Sequence, residues 1–216
     1  MARRGPYAKG LSRRREILRT ALEVIVRTGY SSASVRELAE RVGLSQAGLL
    51  HHFGTKEELF VEVLRARDEV DAGLAEVGEA GPGEEEAGSD EGEAGGAPAG
   101  RQEDIGVDRF LNIIRRNAVV PGLVHLYVRL QAEAADSSHV AAEYFRQRQQ
   151  RVRQGLVQAI SAEQRQGRMP ADLDPEAVAR TLMALADGAQ AQWLHDPAVD
   201  MAGLVAGYVE QLRQQA

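Results

Sequence analysis

Cysteine is absent from this sequence. Disulfide bridges, thiol nucleophiles, cysteine-ligated zinc and thiol redox switches are thereby excluded, and the fold must be held by its own core. No apolar stretch approaches the roughly 20 residues that a membrane-spanning helix needs, and the arginines near the N-terminus lead into no apolar run. A cytoplasmic, nucleoid-associated protein with no membrane partner is the expectation. The alternation of apolar and polar residues that marks a half-buried strand is missing, as is any internal repeat. There is no nucleophile elbow, no phosphate-cradling glycine loop and no pair of catalytic carboxylates, so no enzyme activity, cofactor or metal is expected.

What is present is a 216-residue chain, 44% hydrophobic, long enough to bury one large core or two small ones. Its net charge of −6 is unevenly spread. Residues 1–56 carry eleven lysines and arginines against four glutamates, which leaves +7 there and −13 on the remainder. A basic head on an acidic body suits one end that approaches DNA while the other is kept off it; a solvated charge run is the alternative.

Apolar residues recur at helical spacing in the first third: Ile17 to Ile25, Val35 to Val42, Leu49 to Phe53 and Leu59 to Leu64. Four helices are predicted. Ser34 with Glu37 and Thr55 with Glu58 form capping boxes, Ser45 is a third N-cap, and Gly29 and Gly43 are placed to end helices. Between Gly78 and Gly106 the composition turns to Gly, Glu, Ala and Pro, which cannot repay the entropy of ordering and reads as a flexible acidic linker. An acidic tail that mimics DNA is the other reading of it. Helical stripes resume around Phe110, Leu126, Tyr144 to Ile160, Leu182 and Val205, with Asp174-Pro175 as a start signal and His195-Asp196-Pro197 as a stop. The predicted organisation is a DNA-binding domain with a basic arm at 1–56, a connecting helix at 57–77, the linker at 78–106 and a helical regulatory domain at 107–216.

The segment from Ser34 to Phe53 is a short helix, a glycine turn and a second short helix, the helix-turn-helix pattern. Ala39 is small where the helices must cross, and Gly43 supplies the left-handed turn. The start of the second helix, Ser45 to Gly48, is then free to enter a major groove. Gln46 can pair with adenine and Arg36 with guanine, while Ala47 and Gly48 let the backbone approach thymine methyls. His51 and His52 are adjacent, so they point about 100° apart, and no HxxxH spacing offers a metal. His125, His139 and His195 are isolated, and ordinary surface or core histidines account for them.

The ordered combination of Ala21 to Tyr30, Ser34 to Ala39, Gly43-Leu44-Ser45, Leu49 to Phe53 and Lys56 to Phe60 resembles the N-terminal domain of the TetR family. That resemblance implies an all-α fold, with a three-helix helix-turn-helix domain for DNA and a C-terminal helical bundle for ligand binding and dimerisation. It also implies that Arg36, Gln46, Ala47, Gly48 and His51 face bases, while Ser34, His52 and Lys56 hold phosphates. Lys56 suits that role independently, because a helix start attracts phosphate. Leu50 departs from the family, which has tyrosine there, and puts that operator contact in doubt.

The stretch from Pro121 to Trp193 is similar to the C-terminal domain of a broad group of TetR regulators, the betaine-pathway repressor group. Its members sense very different ligands, so no molecule is implied. His125, Tyr127, Tyr144, Arg148, Met183 and Asp187 are the candidate pocket residues, polar or soft side chains on apolar stripes; half-exposed side chains are the alternative for each. Leu182, Leu185, Trp193, Leu204, Tyr208 and Leu212 are the candidate dimer interface, with intrachain core as the alternative. The expected function is a homodimeric repressor of a double-stranded DNA operator, released by a small-molecule effector of unknown identity. A ligand-independent or activating regulator, or a helical assembly protein that has lost DNA recognition, are the competing readings.

Overall fold

The computed structural model describes residues 6–28, 34–71 and 106–216. Among them every regular element is a helix: α1 (Pro6–Thr28), α2 (Val35–Arg41), α3 (Gln46–Phe53), α4 (Lys56–Asp71), α5 (Val107–Ala118), α6 (Pro121–Glu133), α7 (Ala142–Arg165), α8 (Pro175–His195) and α9 (Met201–Arg213). The all-α class expected from the apolar periodicity is the one observed. Helix α1 begins at Pro6, well ahead of its first apolar stripe residue, so part of the predicted basic arm is helical. Gly29 and all but the last residue of the predicted linker lie outside the described residues, as does the end of the predicted connecting helix.

Local chemistry sets the helix ends. Asp174 accepts a hydrogen bond from the Glu176 amide at 3.0 Å, and Pro175 occupies the first helical position, where its missing N–H costs nothing. Helix α8 stops at His195 because Asp196 precedes a proline and takes an extended conformation, φ −137°. Asp200 caps α9 through the Gly203 amide at 2.8 Å.

Two apolar cores result. The first joins Ile17, Ala21, Val24 and Ile25 of α1 to Leu38 and Ala39 of α2, Leu49 and Phe53 of α3, and Leu59 to Leu64 of α4. It continues without a break into Leu123, Leu126 and Leu130 of α6 and Tyr144 and Phe145 of α7. The boundary drawn at residue 56 is therefore not a boundary of the core: α1 and α4 lie directly on α6. The second core gathers α5, the later part of α7, α8 and α9 around Leu156, Ile160, Leu182 and Val205.

One ionic tie closes the second core. Glu163 of α7 is only 4% exposed and receives two hydrogen bonds from Arg213 of α9, at 2.9 and 2.6 Å. Arg213 also reaches Asp108 of α5 at 3.2 Å, so one guanidinium binds three helices. These three carboxylate contacts hold Arg213 charged, its pKa raised chiefly by the Glu163 hydrogen bonds. Arg213→Ala strands a buried carboxylate, and a loss of about 3 kcal/mol or more is expected in urea unfolding, against no loss for Arg213→Lys beyond about 1–2 kcal/mol.

Candidate DNA interface and effector cleft

The helix-turn-helix is assembled by caps at each junction. The Ser34 hydroxyl accepts from the Glu37 amide at 3.1 Å and the Ser45 hydroxyl from the Gly48 amide at 3.0 Å. Thr55 and Glu58 satisfy one another's amides reciprocally, at 3.1 and 2.7 Å, as a full capping box at the start of α4. Gly43 sits at φ 67°, the left-handed conformation the turn requires. Gly54 combines φ 87° with a second constraint, since a Cβ there would collide with the Glu58 carboxylate.

Two consecutive arginines of α1 then fix the ends of both short helices. Arg13 donates to the Val42 carbonyl that closes α2. Arg14 donates to the His52 carbonyl at 2.6 Å and to Glu62 of α4 at 2.9 Å, and its guanidinium stands 4.4 Å over the Phe53 ring. Cations at helix C-termini complement the dipole and the free carbonyls there. Sequence reading gave these arginines only a share of the basic head, because their partners lie 29 and 38 residues away.

With Leu49 and Phe53 turned inward, α3 presents Ala47 and His51 one turn apart on its outer face, with Gln46 exposed at its first turn. Ser34, Arg36 and Ser45 are exposed beside them, and Gly48, His52 and Lys56 are half-buried. Arg36 forms a loose ion pair with Glu40 at 3.8 Å, and the Lys56 ammonium lies 5.4 Å from the Phe60 ring. All nine candidate DNA residues are carried by α2, α3 and their flanks, and none of them is fully buried.

At the other end of α4 lies a narrow cleft enclosing about 60 Å³, room for a few water molecules. Tyr127, Tyr144, Arg148, Met183 and Asp187 all line it. His125 does not: it is exposed on α6, because residues 125 and 127 point to opposite sides of a helix. Five polar groups missed by sequence reading also line it: Arg67, Asp68 and Asp71 of α4, Asn117 of α5 and the buried Gln190 of α8. The only available signal was that α4 carries alternating charges on its inner side, which reads equally as a solvated helix face.

The cleft is wired across helices. Arg148 donates to Asp68 at 3.0 Å and to the Tyr127 hydroxyl at 3.1 Å, and Tyr144 donates to Asp68 at 2.8 Å. Tyr127 donates weakly to Asp187 at 3.4 Å, and Gln131 donates to the same carboxylate at 2.9 Å. Burial pushes the Tyr127 hydroxyl up to about 12, with the Asp187 and Asp68 charges adding to it and Arg148 opposing. Burial and then Asp68 raise Tyr144 as well. Burial works against the Arg148 cation, but the Tyr127 oxygen and the Asp68 carboxylate outweigh it. Asp71 is raised by burial, with Arg67 and Arg116 pulling the other way.

The six candidate interface residues divide. Leu182 and Leu212 are buried within their own chain's second core, because each faces α7 or α5 rather than solvent. Leu185, Trp193 and Tyr208 are half-buried over that core, and Leu204 is 50% exposed. These last four leave an apolar outer face on α8 and α9. Among the described residues no group of acidic or histidine side chains could hold a metal, and no helix is long and apolar enough to cross a membrane.

Two family profiles match this chain. The bacterial regulatory proteins of the tetR family match residues 17–63, and the BetI-type transcriptional repressor C-terminal domain matches residues 113–214. The transcriptional repressor AcnR of Corynebacterium diphtheriae is 45% identical over 65 residues, 30% of this chain and 33% of that protein. The chain spans about a third of the length of such curated relatives. A TetR regulator from Haloarcula marismortui superposes with a TM-score of 0.66 at 17% identity, covering 94% of this chain and 97% of its own. A regulator from Saccharomonospora viridis, solved with choline, gives 0.60 at 22% identity, covering 91% and 95%. At these identities the solved structures establish the fold.

The cleft tyrosines make a pH prediction. The folded chain keeps protons on Tyr127 and Tyr144 that the unfolded chain releases near pH 10, so stability falls as pH rises through 10 toward 12. Each tyrosine contributes a slope of up to about 1.4 kcal/mol per pH unit. Denaturant midpoints measured from pH 8 to 11 are expected to drop less steeply above pH 10 for the Tyr127→Phe, Tyr144→Phe double variant than for the parent.

Proposed function

This chain belongs to the TetR family of bacterial regulatory proteins, and we propose that it is a homodimeric repressor whose operator is released by a small-molecule effector bound in the cleft. The carrying observation is that α4 serves both ends. Its first residue, Lys56, adjoins the recognition helix α3, while Asp68, three turns on, is held inside the cleft by Arg148 and Tyr144 of α7. An effector that separates Asp68 from Arg148 frees the far end of the helix that sets the angle of α3.

The DNA roles follow from position. Gln46, Ala47, Gly48 and His51 present themselves to base edges with Arg36, while Ser34, Ser45, His52 and Lys56 meet the phosphates. A single eight-residue recognition helix makes too few contacts for specificity, so two copies are needed, on a palindrome with half-sites about 34–36 Å apart. The outer face of Leu185, Trp193, Leu204 and Tyr208 supports dimerisation through α8 and α9. The choline bound by the Saccharomonospora viridis regulator supports a small-molecule site in this C-terminal fold. A ligand-independent regulator is the second reading, favoured by the cleft's small volume.

Binding to the DNA upstream of the protein's own gene, followed by fluorescence anisotropy at several salt concentrations, tests the proposal. Gln46→Ala is expected to relax preference at one base position by about 1–3 kcal/mol, while Lys56→Ala weakens all sequences alike and lowers the salt slope by about one. Asp68→Asn is expected to weaken operator affinity by roughly 5- to 150-fold with the DNA-facing residues untouched. Unchanged affinity in a folded Asp68→Asn protein would remove α4 as the transmitter.

A further inference from the structure

The cleft's bonding capacity is unevenly used, and what is left over is on the acceptor side. Asp68 is paired with Arg148 at 3.0 Å, and Asp71 with Arg67 at 3.2 Å and Arg116 at 3.1 Å. Asp187 is different. It receives only neutral donors, the Tyr127 hydroxyl and the Gln131 amide, and no cation of the described residues pairs with it. A positive ligand would meet there a carboxylate that no cation of the described residues already neutralises.

A second observation lies in the same cleft. The Asn117 side-chain oxygen is buried, lines the cavity and has no hydrogen-bond partner. Asp71 Oδ1, in the same lining, is also buried but lies 3.1 Å from the Arg116 guanidinium. An orphaned acceptor such as the Asn117 oxygen is rare in folded proteins unless a water or ligand is meant to reach it. The cleft's lining includes the apolar or soft side chains of Phe110, Ile114, Tyr127 and Met183.

The approach is also laid out. An open groove of about 700 Å³ runs between the end of α6, α7 and α8, and it shares Met183 and Asp187 with the cleft. Asp187 lines both groove and cleft, and it is the one carboxylate of the groove's lining; the groove's arginines, Arg146, Arg153 and Arg180, pair with Glu143 and Glu176.

We infer that the effector is a protonated amine on a compact apolar body that carries a second O–H or N–H donor: the ammonium pairs with Asp187 and the donor reaches Asn117. This rests on the reading of the chain as an effector-released regulator. Within the cleft itself an anionic effector meets no unpaired cation of the described residues, because Arg67 and Arg148 each already face a carboxylate. A quaternary ammonium would answer the charge at Asp187 but brings no N–H to donate.

Isothermal calorimetry on the full chain, without DNA, tests this with three isosteric probes: tyramine, phenethylamine and 3-(4-hydroxyphenyl)propionate. Tyramine is expected to bind, phenethylamine more weakly, and the propionate not at all. Asp187→Asn is expected to weaken tyramine about tenfold or more, the loss of one charge-assisted hydrogen bond, and Asp187→Glu to restore part of it. Asn117→Leu is expected to erase the advantage of tyramine over phenethylamine. The assignment is overturned if the propionate binds as well as tyramine, if folded Asp187→Asn binds tyramine unchanged, or if neither amine binds at millimolar concentration. Should Asp187→Asn fail to fold, the amine against carboxylate comparison on the parent chain decides alone. Operator release by tyramine is measured separately: amine binding that leaves the operator complex intact refutes the effector-released reading, whereas operator binding by a chain with no amine affinity refutes only the ligand assignment.

Discussion

Helix α6 is buried on two sides, and the molecule is organised by that constraint. Leu123, Leu126 and Leu130 enter the core that holds α1 to α4, while Val124 enters the core of α5, α7, α8 and α9. Removing either set of neighbours would expose a row of leucines or valines at about 25 cal/mol per Å² of uncovered apolar surface. The helix-turn-helix end and the cleft end are consequently packed units joined by side-chain contact as well as by the chain itself. Tyr127 of α6 lines the cleft, and α6 packs on α1 and α4 in a core whose close packing resists gradual deformation.

Ionic groups are placed where they add geometry rather than bulk stability. Buried pairs such as Glu163–Arg213 and Asp68–Arg148 give little net free energy relative to well-packed apolar residues, but each fixes which parts of two helices face one another. Arg213 sets α9 against α7 and α5. Arg148 sets α4 against α7, and it does so inside a cavity, where a ligand can compete for the same partners. Arg13 and Arg14 play the corresponding part at the DNA end, fixing α2 and α3 by their terminal carbonyls.

The sequence alone determined the helices and their order, because those are local matters. Apolar spacing, the Ser34 and Thr55 capping boxes, the Asp174-Pro175 start and the Gly43 turn act over three or four residues, and the structure has a helix for every stripe. The outward side of α3 was legible for the same reason: Gln46, Ala47 and His51 are exposed because Leu49 and Phe53 are inward on one short helix. Pocket residues were legible in part. Tyr127, Tyr144, Arg148, Met183 and Asp187 stood out as polar or soft groups on apolar stripes, and they do meet in one cleft.

Tertiary structure decided which faces were partnered and by what. His125 shares a helix with Tyr127 yet points away from the cleft, and Leu182 and Leu212 are used up in their own chain's core, leaving Leu185, Trp193, Leu204 and Tyr208 outermost. Asp68 looked like one charge among several on α4. Its meaning comes from Arg148, 80 residues away, and from Tyr144, 76 away. Pairings of that kind depend on how α4, α6 and α7 cross, and a crossing is settled by the summed packing of many side chains, which no local pattern of residues records.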